Sequence, residues 1–270
     1  MSDIVYINSI RFRSAYDEDA AAWIALIEAA DGAALEAAVK DVYNTFVIGC
    51  KADPSLNAGV SNWAATEQLL ILRGPRTLPG ALITPKGPAV TNVGFVTGDY
   101  SRKVDVKGNG VKYINTNRAP SADAQNNASL WVNINRAATT NNTKYVGCQD
   151  GAGQATRVMD NNGLINAAVN SSTAYSGPSG SAQPTGFVGV ARNSSSQIAI
   201  RHGGVNYTFS STSAAPISLN YYLFSRNVSG SSNQGTDAGI SAYGSGKALD
   251  LTLMNARVAT LLADLAAAIP

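Results

Sequence analysis

A single histidine, His202, limits the chemistry open to this chain of 270 residues. One histidine rules out a His-based metal cluster, and neither Cys50 nor Cys148 belongs to a CxxC pair, so no zinc site is expected. A Ser-His-Asp triad would have to run through His202, yet no G-x-S-x-G elbow occurs, and GPSGS at 177–181 is loop composition. Paired carboxylates could cleave glycosides. The β-rich part offers only Asp99, Asp105, Asp123, Asp150, Asp160, Asp237 and Asp250, with no glutamate after Glu67 and no E-x-D motif to place two acids on one sheet face. Asp99, Asp150 and Asp160 have neighbouring asparagines that could help hold calcium, but their spacing matches no calcium loop, and solvated turn aspartates are the simpler reading. The expectation is a protein without catalytic residues, metal or cofactor.

The stretch VDVKGNGVKYINTNR (104–118) could be taken for a glycine-rich phosphate loop. Such loops need a helix behind the glycines, so that free N–H groups face the anion. Here alternating apolar and polar residues stand on both sides, and Asn-Gly between two such runs predicts a β-hairpin at Lys107–Gly110. Gly151-Ala-Gly153 lacks a third glycine and also precedes a strand-like run, so no nucleotide site is expected. Sugar binding asks for less: an aromatic face and nearby Asn, Asp or Arg. Trp131, Tyr145, Tyr175, Tyr207, Tyr221 and Tyr222 are available, of which Tyr175, Trp131, Tyr207 and Tyr221 are the candidate glycan-binding residues. Alternation must turn about half of them into the core. Tyr175, in a Gly/Ser/Pro-rich loop, is the one expected to be exposed.

The elements that would carry these residues fall into three zones. Residues 17–72 read as helical: Asp17 caps DEDAAAWIALIEAA with Trp23, Ile24 and Ile27 on one face, and Asp31-Gly32 interrupts. ALEAAVKDVYNTFVIG follows with the stripe Leu35, Ala38, Val39, Val42, Phe46, and Ser61 caps a third helix, NWAATEQLLIL. A connector with four prolines and three glycines spans Gly74–Pro88. Then come short alternating runs: GFVTG, KVDVKG, VKYINTN, SLWVNINR, TKYVGCQ, ATRVMDN, GLINAAV, GFVGVAR, QIAIRHGG, VNYTFSS and SLNYYLFSRN. Their spacing predicts a sandwich or jelly roll with loops at 172–186 and 229–239. The closing helix carries Met254, Val258, Leu261 and Leu265 at heptad-type spacing, for packing within the subunit or at a three-fold axis. The expected division is an extended segment 1–16, a helical region and connector 17–87, a β-sandwich 88–247 and a C-terminal helix 248–270.

Charged residues make up 14% of the chain and the net charge is +2, with the twenty Lys and Arg scattered, so no nucleic-acid partner is expected. The N-terminus has no long apolar run, and no stretch approaches the ~20 apolar residues of a membrane helix, so neither a secretory leader nor membrane insertion is expected. Two buried reduced thiols are then favoured over a disulfide. The sequons at Asn127, Asn141, Asn170, Asn193, Asn206 and Asn227 read as by-products of an Asn/Ser/Thr-rich surface.

Several stretches together resemble tailed-bacteriophage structural proteins with a concanavalin-like (laminin-G-like) jelly roll. They are FVIGCKADPSLNAGVSNWAATEQLLIL, TNVGFVTGDYSRKVDVKGNGVKYINTNR, NRAPSADAQNNASLWV and GKALDLTLMNARVATLLADLAAAI. The resemblance implies a mainly β fold, a concanavalin-like jelly-roll sandwich with an N-terminal helical region and a C-terminal helix. It implies a non-enzymatic virion structural protein, assembled in the bacterial host cytoplasm, and carries over no catalytic residues. A tail fibre or tail-tip subunit would contact host surface glycan and be homo-oligomeric, with a trimer as first expectation; a capsid decoration or connector protein would bind no sugar. In either case the alternating SDIVYINSIRFRSAY would join other virion proteins by adding a strand to a partner's sheet.

Overall fold

The computed structural model describes residues 16–177 and 185–270. The expected attachment strand, apart from Tyr16, and the centre of the 172–186 loop lie outside these residues.

Five helices are described: α1 (Glu18–Asp31), α2 (Ala37–Ala52), α3 (Asn62–Ala65), α4 (Leu78–Ala81) and α5 (Leu251–Ala268). In chain order the described strands are β1 (Thr66–Ile71), β2 (Thr91–Val93), β3 (Tyr100–Ser101), β4 (Asp105–Lys107), β5 (Tyr113–Asn115), β6 (Ala128–Arg136), β7 (Lys144–Gln149), β8 (Ala155–Asn161) and β9 (Leu164–Ser171). They continue with β10 (Tyr175–Ser176), β11 (Gly186–Arg192), β12 (Gln197–His202), β13 (Val205–Ser210), β14 (Tyr222–Leu223), β15 (Arg226–Val228), β16 (Ser231–Asn233) and β17 (Gly239–Gly246).

Two sheets face each other, and the chain passes repeatedly between them, as a jelly-roll sandwich requires. One has eight strands in the order β13-β12-β11-β6-β17-β4-β3, with β1 beside the other half of β17. The second has nine, in the order β10-β9-β8-β7-β14-β5-β2, with β15 running parallel to β7 and β16 paired to β15. Strand alternation assigns the side chains. In β6, Leu130, Val132 and Ile134 enter the core between the sheets, where Val146, Val158, Ile165 and Val169 meet them. Trp131 points the other way, into a second core formed with Trp23, Tyr43, Phe46 and Met254 of the helices. The molecule is therefore three layers: helices, eight-stranded sheet, nine-stranded sheet.

The helices follow their sequence signals. An Asp17 carboxylate oxygen accepts from Asp19 N, and Gly32 ends α1 in the left-handed region at φ 66°. Asp250 caps α5, whose Met254, Val258, Leu261 and Leu265 are buried within the subunit against α2 and the sheet. By length and composition α5 could cross a membrane, so the expectation that no stretch comes near that limit is corrected. In α2, Ala38 is exposed and the buried Tyr43 completes the stripe instead. Both cysteines are free and buried, and the sequon residues Asn170 and Asn227 are buried as well.

Four expected elements differ. Ser61 caps a helix, but that helix stops at Ala65, and TEQLLI is β1, antiparallel to β17. Leu69 and Ile71 face the helices while Leu70 and Leu72 face the other sheet, so a strand buried on both sides presents the unbroken apolar run of a buried helix. Second, β4 and β5 do not form a hairpin: they belong to different sheets. Gly108 N and Gly110 N donate to Ala238 O (2.9 Å) and Thr236 O (3.1 Å), so the glycine segment lies along the run-in to β17 and hands the chain across the sandwich. A Cβ on Gly108 would sit 2.1 Å from Thr236 O, which explains that glycine. A strand, not a helix, follows Gly110, so the structure also lacks a phosphate cradle here. Third, GFVTG is not a strand; β2 precedes it, and its last two residues belong to a 3-10 turn, Thr97–Asp99. Fourth, the connector contains α4, held to the end of α1 because the Asp31 carboxylate accepts from Arg76 N, Thr77 N and Thr77 Oγ1.

Candidate functional site

The four aromatic residues proposed from sequence do not assemble into one surface. Trp131 has no exposed area: it stacks on Phe187 (5.4 Å between centroids) beneath the helices, above Gly244, where a Cβ would meet its ring at 2.5 Å. Tyr221 is fully buried between the sheets. Neither has a face to offer a sugar, and both assignments are corrected. Tyr175 is 7% exposed and also belongs to the core, against the expectation of a loop aromatic. The reason is local: β10 pairs with β9 opposite Ala167, an inward position, so Tyr175 turns inward too.

Tyr175 and Tyr207 do meet, around the histidine. Tyr175 Oη lies 3.1 Å from His202 Nε2, His202 stacks on Tyr207 (4.7 Å, 14°), and Phe209 meets Tyr175 edge-on. These rings close the gap between β10 of one sheet and β12–β13 of the other. Burial pushes the His202 pKa below its usual value. Tyr207 keeps partial exposure. The aspartates considered for calcium are separately engaged: Asp99 with Lys112, Asp150 with Ala152 N and Gln154 N, Asp160 with Asn142 N and Gly163 N. No group of three or more His, Cys, Asp or Glu placed to hold a metal occurs among the described residues.

The outer face of the nine-stranded sheet gathers a different set. Leu223 points inward, so its neighbour Tyr222 points outward, one residue from the tyrosine chosen from sequence. Tyr222 stacks on Tyr113 of β5 (4.4 Å, 24°), and its hydroxyl donates to Gly230 O at 3.1 Å. Across the strands the same row runs Tyr222, Gly147, Arg157, Ala168. Gly147 leaves room for the arginine: a Cβ there would lie 2.5 Å from Arg157 Cβ. Arg157 Nε donates to Asn166 Oδ1 (3.1 Å) and a terminal nitrogen to Gln149 Oε1 (2.7 Å). Arg226 of β15 donates to the same Gln149 oxygen and to Asn233 Oδ1 (2.7 Å). Lys144 lies one row on, beside Met159 and Asn166.

Three cations thus share a face, and the hydrogen-bond partners of its two arginines are neutral amides. Burial first, then the charges of Arg226 and Arg157, bring the Lys144 pKa down to about 7. Burial, with Arg226 beside it, lowers Arg157 to about 10. Stacked tyrosines next to fixed arginines and amides supply an apolar ring face and multiple hydrogen-bond donors and acceptors, the group types that hold a saccharide. Sequence alone could have flagged Arg157 and Lys144 as cations at alternating positions in ATRVMDN and TKYVGCQ, but their convergence needs the register of β7, β8 and β15.

No protein-family model matches the chain, and no curated protein matches it. Solved structures match the chain at low identity. Domain 4 of AbnA, an extracellular GH43 arabinanase from Geobacillus stearothermophilus, in complex with arabinotriose, is 16% identical with TM-score 0.41, covering 70% of this chain and 86% of that one. The CBM40 of a Ruminococcus gnavus IT-sialidase is 12% identical with TM-score 0.44, covering 57% and 95%. A Trypanosoma rangeli sialidase is 11% identical with TM-score 0.48; 84% of this chain aligns with 38% of that one.

Proposed function

We propose that this chain is a non-enzymatic bacteriophage virion structural protein, a tail-fibre or tail-tip subunit that contacts glycan on the host surface through the outer face of its nine-stranded sheet. The virion half of the proposal is supported by the sequence resemblance over the helical, glycine-turn and C-terminal segments. The glycan half is carried by one observation: the half-buried Tyr113, Gln149, Arg157 and Arg226 surround Tyr222, itself only 7% exposed, on a face outside both cores. The N-terminal segment would join the subunit to other virion proteins. A homo-oligomer, a trimer first, would repeat a weak site and gain avidity.

Immunogold labelling of the intact particle tests the assignment. Label at the tail end supports adsorption. Label over the head favours capsid decoration, and absence of label with an antibody that recognises the folded chain overturns the virion proposal. A glycan array probed with the folded protein tests the contact itself, since a Tyr222→Ala variant should lose whatever binding the parent shows.

A further inference from the structure

Most strongly buried cations in this protein have an obvious counterpart. Arg118 pairs with Asp123, Arg102 with Glu36 and Lys112 with Asp99, while the buried Arg192 is held by the carbonyls of Val169, Ser194 and Ser211. The outer face of the nine-stranded sheet departs from this. Lys144, Arg157 and Arg226 have no carboxylate within ion-pair distance among the described residues. Lys144 is 2% exposed, and burial is the largest cause of its lowered pKa. Arg226 Nε is buried and unpartnered. A buried cation without a partner is costly, and three on one face add mutual repulsion. The amide oxygens of Gln149, Asn166, Asn233 and Gln234 orient the guanidiniums but do not neutralise them.

We infer that Lys144, Arg157 and Arg226 receive an anionic group carried by the saccharide, a sugar carboxylate or a phosphate ester, an inference that rests on the glycan contact proposed above. The Arg157 and Arg226 forks, both anchored on Gln149, suit the planar or tetrahedral oxyanion that arginines bind through parallel N–H bonds. Tyr222 lies on the Arg157 row, with Tyr113 stacked against it, for the sugar ring. The charges facing Lys144 are Arg157 of β8, Arg226 of β15 and Asp160 of β8, the last engaged by two backbone N–H groups. A bound anion favours protonated Lys144, so affinity should fall as pH rises through about 7.

The test is calorimetric titration of the full chain with three probes: a uronate-containing oligosaccharide, its carboxyl-reduced neutral counterpart, and a phosphorylated oligosaccharide. The expected result is tighter binding of one acidic probe than of the neutral one by about tenfold or more. Lys144→Met and Arg157→Gln should each abolish that preference, and the preferred probe identifies carboxylate or phosphate as the source of the anion. Equal binding of acidic and neutral probes, or a preference surviving in both variants, overturns the inference and leaves the glycan contact standing. Binding of no glycan at all overturns both. If a variant fails to fold, NMR titration of the Lys144 side chain in the unaltered protein decides: its pKa should rise when the acidic probe is added, and an unchanged value refutes the inference.

Discussion

The two sheets bury their inner faces against each other but treat their outer faces in opposite ways. The eight-stranded sheet carries Trp131, Phe187, Ala191 and Ala242 outward and is roofed over its central strands by α1, α2 and α5, while its edge strand β13 stays largely exposed. The nine-stranded sheet carries Lys144, Gln149, Arg157, Asn166 and Tyr222 outward and has no described helix over it. The first face is scaffold, and the second is where unpaired charge and aromatic surface accumulate. Glycines show the same division. Gly244 exists so that the Trp131 ring can lie on the sheet, whereas Gly147 exists so that Arg157 can be placed on a surface. Substitutions on the roofed face should therefore cost stability, and those on the other face should alter charge and binding.

The largest effect should come from Trp131→Ala. Removing a fully buried indole beneath the helices should cost about 3–5 kcal/mol, measured by chemical denaturation. The fraction that remains folded should bind any glycan ligand with the parent's affinity. A loss below ~1 kcal/mol, or a specific loss of binding, would break the division between the two faces.

The second effect concerns charge. Lys144 releases its proton near pH 7 in the folded protein and near 10.5 in its unperturbed state. Between those values the unfolded chain holds more protons, so stability rises with pH through this window, by up to ~1.4 kcal/mol per pH unit from this residue. Below about pH 7 both states are protonated and the penalty is fully present. Lys144→Met should flatten the rise and should be more stable than the parent at pH 6. Because other groups titrate at high pH, the quantity to compare is the difference between the two proteins' denaturation midpoints across pH.

Much of the architecture was legible in the sequence, because caps and periodicity report local physics. Asp17, Ser61 and Asp250 each cap a helix start, and most of the alternating runs from SLWVNINR to VNYTFSS are strands. Two of the failures share one cause, burial on both faces. TEQLLI lost its alternation because neighbours cover both sides of β1. GISAYGSG of β17, central to its sheet, went unrecognised because close approach of Trp131 and of Asp105 forces glycine at 244 and 239, giving a strand the composition of a loop. The site was less legible. Tyr221 and Tyr222 are adjacent, and only the register of β14 decides which one faces outward. The charge cluster joins β7, β8 and β15, so no local motif could announce it.

Tyr222→Phe sharpens the comparison at smaller scale. The hydroxyl bond to Gly230 O ties the β15–β16 hairpin to the sheet, and its loss should cost about 1 kcal/mol. The stack on Tyr113 should persist, so sugar-ring contact should weaken less than in Tyr222→Ala. Equal losses in the two variants would show that the hydroxyl, not the ring face, carries the contact.

The smallest effect belongs to the edge where the two sheets meet. Burial lowers the His202 pKa, so the folded protein resists the proton that the unfolded chain takes up near pH 6.5. Stability from this residue is complete above that value and declines as pH falls through it, until the folded state also accepts the proton. His202→Phe, which keeps a ring against Tyr207 and Tyr175, should lose the hydrogen bond yet show a shallower decline in stability between pH 7 and 5. The slope difference should stay below the ~1.4 kcal/mol per pH unit that one proton allows. Identical slopes would mean that His202 is protonated as readily in the fold as out of it, and that the aromatic edge is wetter than its packing against Tyr207 implies.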